Sequence, residues 1–409
     1  MGLLISINSF SQNIKILFDA SKAEAAGNAD WVIDANSHNL GFSNGPAVVG
    51  QGSESNAQQI PLPAQSAITS STLETYWEGA LSYWGIDCVK QGYIVESLPY
   101  NGRITFGDVS NTQDLSHYTV FVICEPNILF TSSEKTAILN FVQSGGGLFM
   151  ISDHDVSDRN NDTWDSPHIW NDLMDNNSVM VNPFGITFDY VDISQTSLNI
   201  PVLPNDSILH GPFGNVTKAQ WSGGTTMTIS PSVNSTVVGI IYKTGSAFGN
   251  TNVLCAYAHF GNGKVVSIGD SSPCDDGSGD TNDVLYDGYI TDAAGNHQKL
   301  LMNATIWLAN SNLISGISAL DLTKTNFRIF PDPVSNGILN MNISLLESSL
   351  VEIKIVDVNG KVKRSIVISN KSQGSYIESI DVSNLSSGIY FCQMITNQSM
   401  VNERVLIFN

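Results

Sequence analysis

The chain has 409 residues, with 38 acidic and 18 basic side chains and a formal net charge of −20 at pH 7. This charge argues against a nucleic-acid partner and against docking on anionic lipid, because both need clusters of Lys and Arg. Apolar residues make up 42% of the chain, enough for packed cores, and the length favours two or three domains. No apolar run approaches the roughly 18 residues of a membrane-spanning helix, so we expect no membrane span.

Residues 1–12 read MGLLISINSFSQ and differ in character from the rest of the chain. A short apolar stretch followed by small and polar residues is typical of the end of a signal peptide, although the basic start is missing. We interpret this segment as the remnant of a signal peptide, with an ordinary first strand as the alternative.

Residues 13–312 alternate between strand-like and helix-like stretches. In chain order they predict a strand at 14–19, a helix at Thr72–Trp84, strands at Tyr93–Ser97 and Thr119–Cys124, a helix at Ser132–Ser144, strands at 148–152, 237–242, 252–260 and 264–270, and a closing helix at Asn296–Ala309. Such alternation predicts an α/β, doubly wound domain of the flavodoxin-like kind with a mostly parallel sheet.

Five cysteines are spread along the chain: Cys88, Cys124, Cys255, Cys274 and Cys392. Their number is odd, their spacing is wide, and no CxxC or Cys/His zinc pattern occurs, so they do not form a disulfide framework. Cys124 and Cys255 lie in apolar strands and are expected to be buried, whereas Cys274 lies in a polar loop.

The charge balance changes near the C-terminus. Residues 326–409 carry seven basic and seven acidic side chains, so the whole excess of negative charge lies upstream. This break predicts a domain boundary, with a linker at 313–325. Short strands of alternating polarity, with turn signals about every ten residues, predict a small all-β sandwich at 326–409.

Three ordered motifs give this segment a resemblance to a known family. They are Phe330-Pro331-Asp332-Pro333-Val334, Asp357-Val358-Asn359-Gly360-Lys361 and Leu385-Ser386-Ser387-Gly388-Ile389-Tyr390. The segment resembles the C-terminal sorting domain of the type IX secretion system of Bacteroidetes. The resemblance implies that the type IX machinery exports the chain, which is then released or held at the cell surface. A carbohydrate-binding or adhesion sandwich is the alternative.

The first domain carries a second resemblance. TVFVICEPN (119–127), SSEKTAILNFVQSGGGLFMISDH (132–154), GKVVSIGDSS (263–272) and HQKLLMNATIWLA (297–309) resemble the class I glutamine-amidotransferase-like superfamily, especially its trehalose-utilisation-protein-like and gliding-motility or intraflagellar-transport-type members. The glutaminases of that superfamily carry a nucleophilic Cys in a strand-to-helix turn. The strand at 148–152 instead ends in Asp153-His154, so the resemblance does not imply glutaminase activity.

Polar residues follow several predicted strands. Ligands bind beyond the carboxyl ends of the strands in open α/β sheets, so Asp19, Glu125, Asp153, His154 and Asp270 are expected on one rim. The candidate catalytic residues are Asp153, His154 and Asp19. His154 is either a general base held by a carboxylate or a metal ligand, and a structural loop histidine is the alternative.

Two acidic loops are candidate cation sites. Residues 153–168 hold five Asp and two His beside one Arg, and residues 269–292 hold seven Asp with no Lys or Arg. Carboxylates so close together repel unless a cation or protons neutralise them; oxygen ligands suit Ca²⁺, and imidazole admits Zn²⁺ or Mn²⁺. The candidate metal ligands are Asp155, Asp158, Asp162, Asp165, His168, Asp275, Asp276 and Asp280. Solvated, turn-forming Asp residues are the alternative.

Two functions of different classes are compatible with these features. One is a secreted hydrolase acting on an extracellular polysaccharide or small molecule, in which a divalent cation activates water. The other is a non-catalytic binding or surface-scaffold domain, favoured by the missing Cys. A serine esterase is a weaker alternative, because Gly269-Asp270-Ser271 is similar to the GDS block of SGNH esterases but lies near the wrong end of its domain.

Overall fold

The computed structural model describes residues 14–26, 29–34, 40–41, 48–49, 57–277, 288–290, 295–310, 326–330, 334, 337–345, 348–357, 361–371, 374–396 and 400–408. The chain divides into two compact units, residues 1–314 and 315–409. Three predicted features lie outside the residues described: the expected signal remnant at 1–12, the expected linker at 313–325 and the candidate ligand Asp280.

The strands of the first unit are, in chain order, β1 (Lys15–Asp19), β2 (Ala25–Ala26), β3 (Ala29–Asp30), β4 (Leu40–Gly41), β5 (Val48–Val49), β6 (Ile94–Leu98), β7 (Val120–Cys124), β8 (Gly147–Ile151), β9 (Ile186–Phe188), β10 (Ile193–Ser197), β11 (His210–Gly211), β12 (Gly214–Asn215), β13 (Ala219–Gly224), β14 (Met227–Ile229), β15 (Val238–Tyr242), β16 (Val253–Phe260) and β17 (Gly263–Ile268). Its α-helices are α1 (Ser82–Lys90), α2 (Ser132–Ser144), α3 (Ser166–Asp175) and α4 (His297–Ala309). Short 3₁₀ turns occupy Gln65–Ala67, Glu74–Tyr76, Leu115–His117 and Ser272–Cys274.

A central sheet organises this unit. Within the described residues it has nine strands, in the order β6-β1-β7-β8-β17-β16-β14-β9, with β15 also paired to β16. Strands β6, β1, β7, β8 and β17 pair in parallel, and β16 pairs antiparallel with β17, β14 and β15. Because β9 in turn runs antiparallel to β14, only β16 and β9 oppose the common direction. The predicted α/β class with a mostly parallel sheet is confirmed.

Helices cover both faces of the sheet. Consecutive side chains of a strand point to opposite sides, so each face presents apolar groups against which helices pack. In β7, Val122 joins one buried cluster and Phe121 joins the other. Side chains of α1 and α4 complete the first cluster, and side chains of α2 and α3 complete the second. Strands buried on both faces explain the continuous apolar runs in the sequence.

Local chemistry sets the helix boundaries. Thr131 and Glu134 form a reciprocal capping box at the start of α2, and Gly145, at φ 126°, ends it, so the predicted helix at 132–144 is confirmed. The predicted helix at Thr72–Trp84 is wrong, since the α-helix begins only at Ser82. Gly79 has φ 123° and Trp77 is extended, which interrupts the apolar pattern before it becomes helical.

The second unit consists of antiparallel strands. They are β18 (Asn326–Phe330), β19 (Ile338–Leu345), β20 (Ser349–Asp357), β21 (Val362–Lys371), β22 (Gly374–Asp381), β23 (Gly388–Ile395) and β24 (Met400–Ile407). They form a three-stranded sheet, β18-β19-β22, and a four-stranded sheet, β21-β20-β23-β24. One buried cluster contains side chains of both sheets, including Met341 of β19 and Cys392 of β23.

Candidate functional site

The carboxyl ends of β1, β7, β8 and β17 meet at one edge of the central sheet, because these strands are parallel neighbours. Beyond three of those ends lie Glu125, Asp153 and Asp270, which are 0%, 3% and 0% exposed. Three acids buried beside one another need hydrogen bonds, a counter-cation or protons. This cluster uses all three means of neutralisation.

Ser271 joins two of these acids. Its Oγ lies 2.7 Å from Oε2 of Glu125 and 2.7 Å from Oδ2 of Asp153. A hydroxyl has one hydrogen to donate, so one of the two carboxyl groups must itself be protonated and donate to Ser271. Burial raises the pKa of Asp153 well above its ordinary value, and the neighbouring carboxylates of Glu125 and Asp270 add to the shift. The proton therefore belongs to Asp153.

Glu125 is held by cationic and neutral donors. Arg159 donates from Nε at 3.1 Å to Oε1, and the indole Nε1 of Trp31 donates at 2.7 Å to Oε2. The backbone of Glu125 is left-handed, with φ 49°, which directs its side chain into the cluster at the end of β7. Arg159 also places Nη2 3.9 Å from Oδ2 of Asp153, but it lies closer to Glu125 and so favours the negative charge of this pair on Glu125.

Asp270 accepts two backbone hydrogen bonds, from the N–H groups of Ser222 at 2.5 Å and Ser272 at 2.8 Å. Burial raises its pKa to about 7 in spite of these bonds. The bond to Ser222 also fixes β13 over the edge of the sheet, which brings Gly223 against His154.

Asp19 belongs to a separate buried pair. It is 1% exposed, and Glu24, five residues further on, is 0% exposed. Burial raises the pKa of both acids, and the Asp19 charge raises that of Glu24 further. Lys22, between them in sequence, directs its Nζ to Glu134 of α2 at 2.7 Å. The hydrogen bonds described for Asp19 stay within its own loop rather than reaching Asp153 or His154.

His154 is the accessible member of the predicted catalytic trio, with 23% of its side chain exposed. Its Nδ1 lies 2.7 Å from the carbonyl oxygen of Asp155, which only accepts, so Nδ1 carries the hydrogen. In the neutral ring Nε2 is then an acceptor, 3.6 Å from Oδ1 of Asp153. The backbone N–H of His154 also donates to that carboxyl oxygen, at 2.5 Å. Asp153 therefore positions His154 through one carboxyl oxygen, which contacts both the backbone N–H and the ring of His154.

Three of the predicted metal ligands converge. Asp155, Asp165 and His168 each offer one ligand atom, and these atoms lie within 4.8 Å of one another. Nδ1 of His168 is 2.5 Å from Oδ1 of Asp165 and 3.8 Å from Oδ1 of Asp155. Asp165 is the N-cap of α3 and is nearly buried, whereas Asp155 and His168 keep about a third of their side chains exposed. The ring of Tyr190 stacks on His168 with centroids 3.9 Å apart.

The other predicted ligands lie elsewhere or serve the loop. Asp158 accepts from the backbone N–H groups of residues 162 and 163, and Asp162 accepts from that of Trp164. Asp275 accepts from the backbone of residue 277, and Asp276 accepts from that of Tyr83. The bonds of Asp158, Asp162 and Asp275 are the turn-forming roles that Asp takes in loops, whereas that of Asp276 ties its loop to the start of α1. Asp280 lies outside the described residues.

Sequence reasoning missed three members of the site. Glu24 lies in the same short loop as Asp19, and its spacing of five residues carries no known signal. Tyr190 reaches His168 only through the fold. Ser271 attracted attention as part of a GDS block, whereas the structure makes it a buried link, 0% exposed, between two carboxyl groups.

Comparison with known proteins gives one family and several distant folds. Residues 328–408 match the family described as the secretion system C-terminal sorting domain. No curated protein matches the chain. Among solved structures, the mmIFT52 N-terminal domain is 13% identical, covering 73% of this chain and 99% of that one, with a TM-score of 0.42. An endo-β-1,4-mannanase from Thermotoga petrophila is 8% identical, covering 80% and 59%, with a TM-score of 0.17.

A third solved structure is the CARDB domain of a Pyrococcus furiosus protein in complex with di-metal ions. It is 12% identical, covering 21% of this chain and 88% of that one, with a TM-score of 0.17. Likenesses as low as these three carry no argument about function. No helix among the described residues is long and apolar enough to cross a membrane. The match at 328–408 is decisive for location: this is a Bacteroidetes protein with a type IX C-terminal sorting domain, secreted to the cell surface or the extracellular space.

Proposed function

We propose that the first unit is a hydrolase of an extracellular substrate that binds one divalent cation through Asp155, Asp165 and His168. The observation that carries the proposal is the convergence of these three side chains, with ligand atoms within 4.8 Å, next to the accessible imidazole of His154. Export places this site outside the cell, where a polysaccharide or a small molecule is available as substrate.

The residues fit such a cation by their chemistry. Two carboxylates and one imidazole suit Zn²⁺ or Mn²⁺ better than Ca²⁺, which prefers an all-oxygen shell. Three protein ligands leave coordination positions for water, as in catalytic rather than structural zinc sites. A bound cation of this kind lowers the pKa of a coordinated water and supplies a nucleophile at neutral pH.

The roles of the remaining residues depend on their exposure. His154 presents Nε2 as an acceptor and serves as general base. Asp153 is 3% exposed and holds His154 through the backbone N–H and the ring of that residue, which makes Asp153 a positioning residue. Asp19 is a structural acid in this proposal, because its hydrogen bonds stay within the loop after β1.

The test measures cation binding and hydrolysis on the full chain. Chelator-treated protein is titrated with Zn²⁺, Mn²⁺ or Ca²⁺, and metal content and Tm are recorded; binding is expected at one ion per chain and raises the Tm by mass action. A panel of chromogenic glycosides and esters then reports hydrolysis.

His168→Ala is expected to lose both the ion and the activity. The matched control is His210→Ala, since His210 is exposed and its ring contacts the side chain of Asn215 rather than the proposed ligands. Equal metal content in wild type and His168→Ala contradicts the proposal.

A second candidate function is a non-catalytic binding or surface-scaffold domain. It is favoured by the burial of Glu125, Asp153 and Ser271, whose polar atoms bond to one another instead of facing a substrate. A protein that binds the cation but hydrolyses no member of the panel, and whose cation affinity is unchanged in His154→Ala, supports this second function over the first.

We also propose a finer fold for each unit. The parallel strands of the first unit, in the order β6-β1-β7-β8-β17, follow the 2-1-3-4-5 arrangement of flavodoxin-like sheets, which supports the amidotransferase-like resemblance. In the second unit, the cluster shared by the two antiparallel sheets supports a β-sandwich. An experimental structure of the full chain tests both.

A further inference from the structure

Two cysteines that are far apart in sequence lie side by side in the first unit. Cys124 is the last residue of β7, and Cys274 lies in the turn after β17. The residues beside them are joined by the 2.7 Å hydrogen bond from Ser271 to Glu125. Both cysteines belong to the same buried cluster, at 1% and 0% exposed, and the Cys274 thiol is close enough to help raise the pKa of the Cys124 thiol.

Two other cysteines have a different kind of neighbour. The thiol of Cys88 lies 3.9 Å from the sulfur of Met302, and that of Cys392 lies 4.0 Å from the sulfur of Met341. A thioether cannot form a disulfide with a thiol. Cysteine spacing alone offers no reason to pair Cys124 with Cys274, because only the fold brings β7 and the turn after β17 together.

We propose that Cys124 and Cys274 form a disulfide bond when the chain is exported. The secreted protein passes through an oxidising compartment, where such bonds form and persist. Formation of the S–S bond releases two protons and two electrons from the two thiols. An external disulfide, that of an oxidoreductase or a small oxidised thiol, accepts them in two exchange steps through a mixed disulfide and leaves as two thiols.

The bond forms before the first unit closes. Burial raises the pKa of the Cys124 thiol well above its ordinary value, and the nearby Cys274 thiol adds to this shift. The thiolate is the reactive form, so a reduced pair that is already buried exchanges slowly and is inaccessible to an external disulfide. Once formed, the bond is protected from reduction by the same burial.

The disulfide has a clear mechanical consequence. It links positions about 150 residues apart and constrains the unfolded chain accordingly. In the folded chain it ties the end of β7 to the turn that carries Ser271. The disulfide therefore lies next to the Glu125–Ser271–Asp153 cluster in sequence. Glu125 follows Cys124 directly, and Ser271 precedes Cys274 by three residues.

The experiment counts free thiols in full-length protein exported to an oxidising compartment and purified without reductant. The protein is denatured with excess iodoacetamide, and its mass is measured with and without prior reduction. We expect three of the five cysteines to be alkylated before reduction and all five after it, with one proteolytic peptide pair joining Cys124 to Cys274. Five alkylated cysteines without reduction, or a link between another pair, overturns the proposal.

Variants separate the bond from simple packing. Cys255→Ser is the matched buried control and is expected to keep the Cys124–Cys274 link. The Cys124→Ser, Cys274→Ser double variant is expected to show the same mass and Tm with and without reductant, whereas reductant present during thermal unfolding, when the bond becomes accessible, lowers the wild-type Tm by about 5–10 °C. The thiol count on denatured wild type decides the question even if the double variant does not fold, and it does not depend on any activity of the first unit.

Discussion

Oδ1 of Asp165 lies 2.5 Å from Nδ1 of His168, one turn into the helix that Asp165 caps. This one oxygen therefore has two tasks: it accepts a backbone N–H at the start of α3, and it holds the imidazole of the proposed cation site. The two tasks make different chemical demands, since any good N-cap residue meets the first and only an anionic ligand meets the second well.

Substitutions at Asp165 separate these tasks. Asp165→Asn keeps an N-cap oxygen but loses the bond that Oδ2 accepts from the backbone N–H of Val156, so we expect a loss of about 1 kcal/mol in the free energy of unfolding, with cation affinity at least tenfold weaker. Asp165→Ala loses the cap as well and costs roughly 2 kcal/mol. Urea denaturation of the cation-free protein and cation titration give the two readouts. Unchanged affinity in Asp165→Asn would remove Asp165 from the ligand set.

The proton assignment in the Ser271 cluster predicts unequal tolerance of two isosteric changes. Asp153 is held protonated, so Asp153→Asn replaces one neutral group by another and costs less than about 1.5 kcal/mol. Glu125→Gln removes the partner of Arg159 and leaves a cation with one contact fewer, at a cost of roughly 3 kcal/mol. Guanidinium denaturation measures both. If Asp153→Asn is the more damaging change, the charge lies on Asp153 instead.

The free energy of unfolding should fall as pH rises between about 4 and 7. Asp270 has its pKa raised by burial from 3.8 to about 7, so the folded chain holds a proton over this range that the unfolded chain has lost. Its contribution is fully present below pH 4 and is lost as pH rises through 7, on the order of 4 kcal/mol. The raised pKa values of Asp19, Glu24 and Asp153 act in the same direction.

Denaturation at several pH values tests this slope. Asp270→Asn should flatten it. The control is Asp114→Asn, because the pKa of Asp114 is lowered to about 2 and its stabilisation is lost only as pH falls below 4. A wild-type protein that is most stable near pH 7 would show that these buried acids are ionised in the fold.

Gly223 offers a way to move His154 without changing it. Gly223 has φ +79°, and a Cβ placed there would lie 3.3 Å from Cδ2 of His154. Gly245 has the same φ with open space around it. Alanine at either position costs about 1 kcal/mol or more in backbone strain. Only Gly223→Ala should also reduce hydrolysis and change the NMR chemical shifts of the His154 ring; equal effects of the two variants argue against His154 as the base.

The parts of the fold that were predictable are those fixed by local chemistry. The apolar runs of β7, β8 and β17 and the capping box at Thr131 specify their own elements, whatever surrounds them. The helix expected at Thr72–Trp84 shows the opposite case, because the positive φ of Gly79 overrides an apolar period that suits a helix. Periodicity does not report such a break.

The candidate site was predictable by region but not by member. Parallel strand ends correctly placed Glu125, Asp153 and Asp270 at one edge. Composition could not tell that Asp158 and Asp162 bond to nearby backbone while Asp155 and Asp165 face His168, since all four are Asp in one loop. The sequence also does not report the exposure of these side chains. An Asp or Glu at a strand end gives the same sequence pattern whether its carboxyl group is open to solvent or buried against another carboxyl group.

Glu134 completes the capping box of α2 and also accepts the Nζ of Lys22. A mutation of Glu134 removes this cap from α2. The same mutation leaves the nearly buried ammonium group of Lys22 without its carboxylate partner, in the loop that carries Asp19 and Glu24. Lys22 and Glu134 are more than a hundred residues apart, yet a change at one alters the environment of the other. We therefore expect Thr131, Lys22 and Glu134 to covary among descendants of this chain or to stay unchanged.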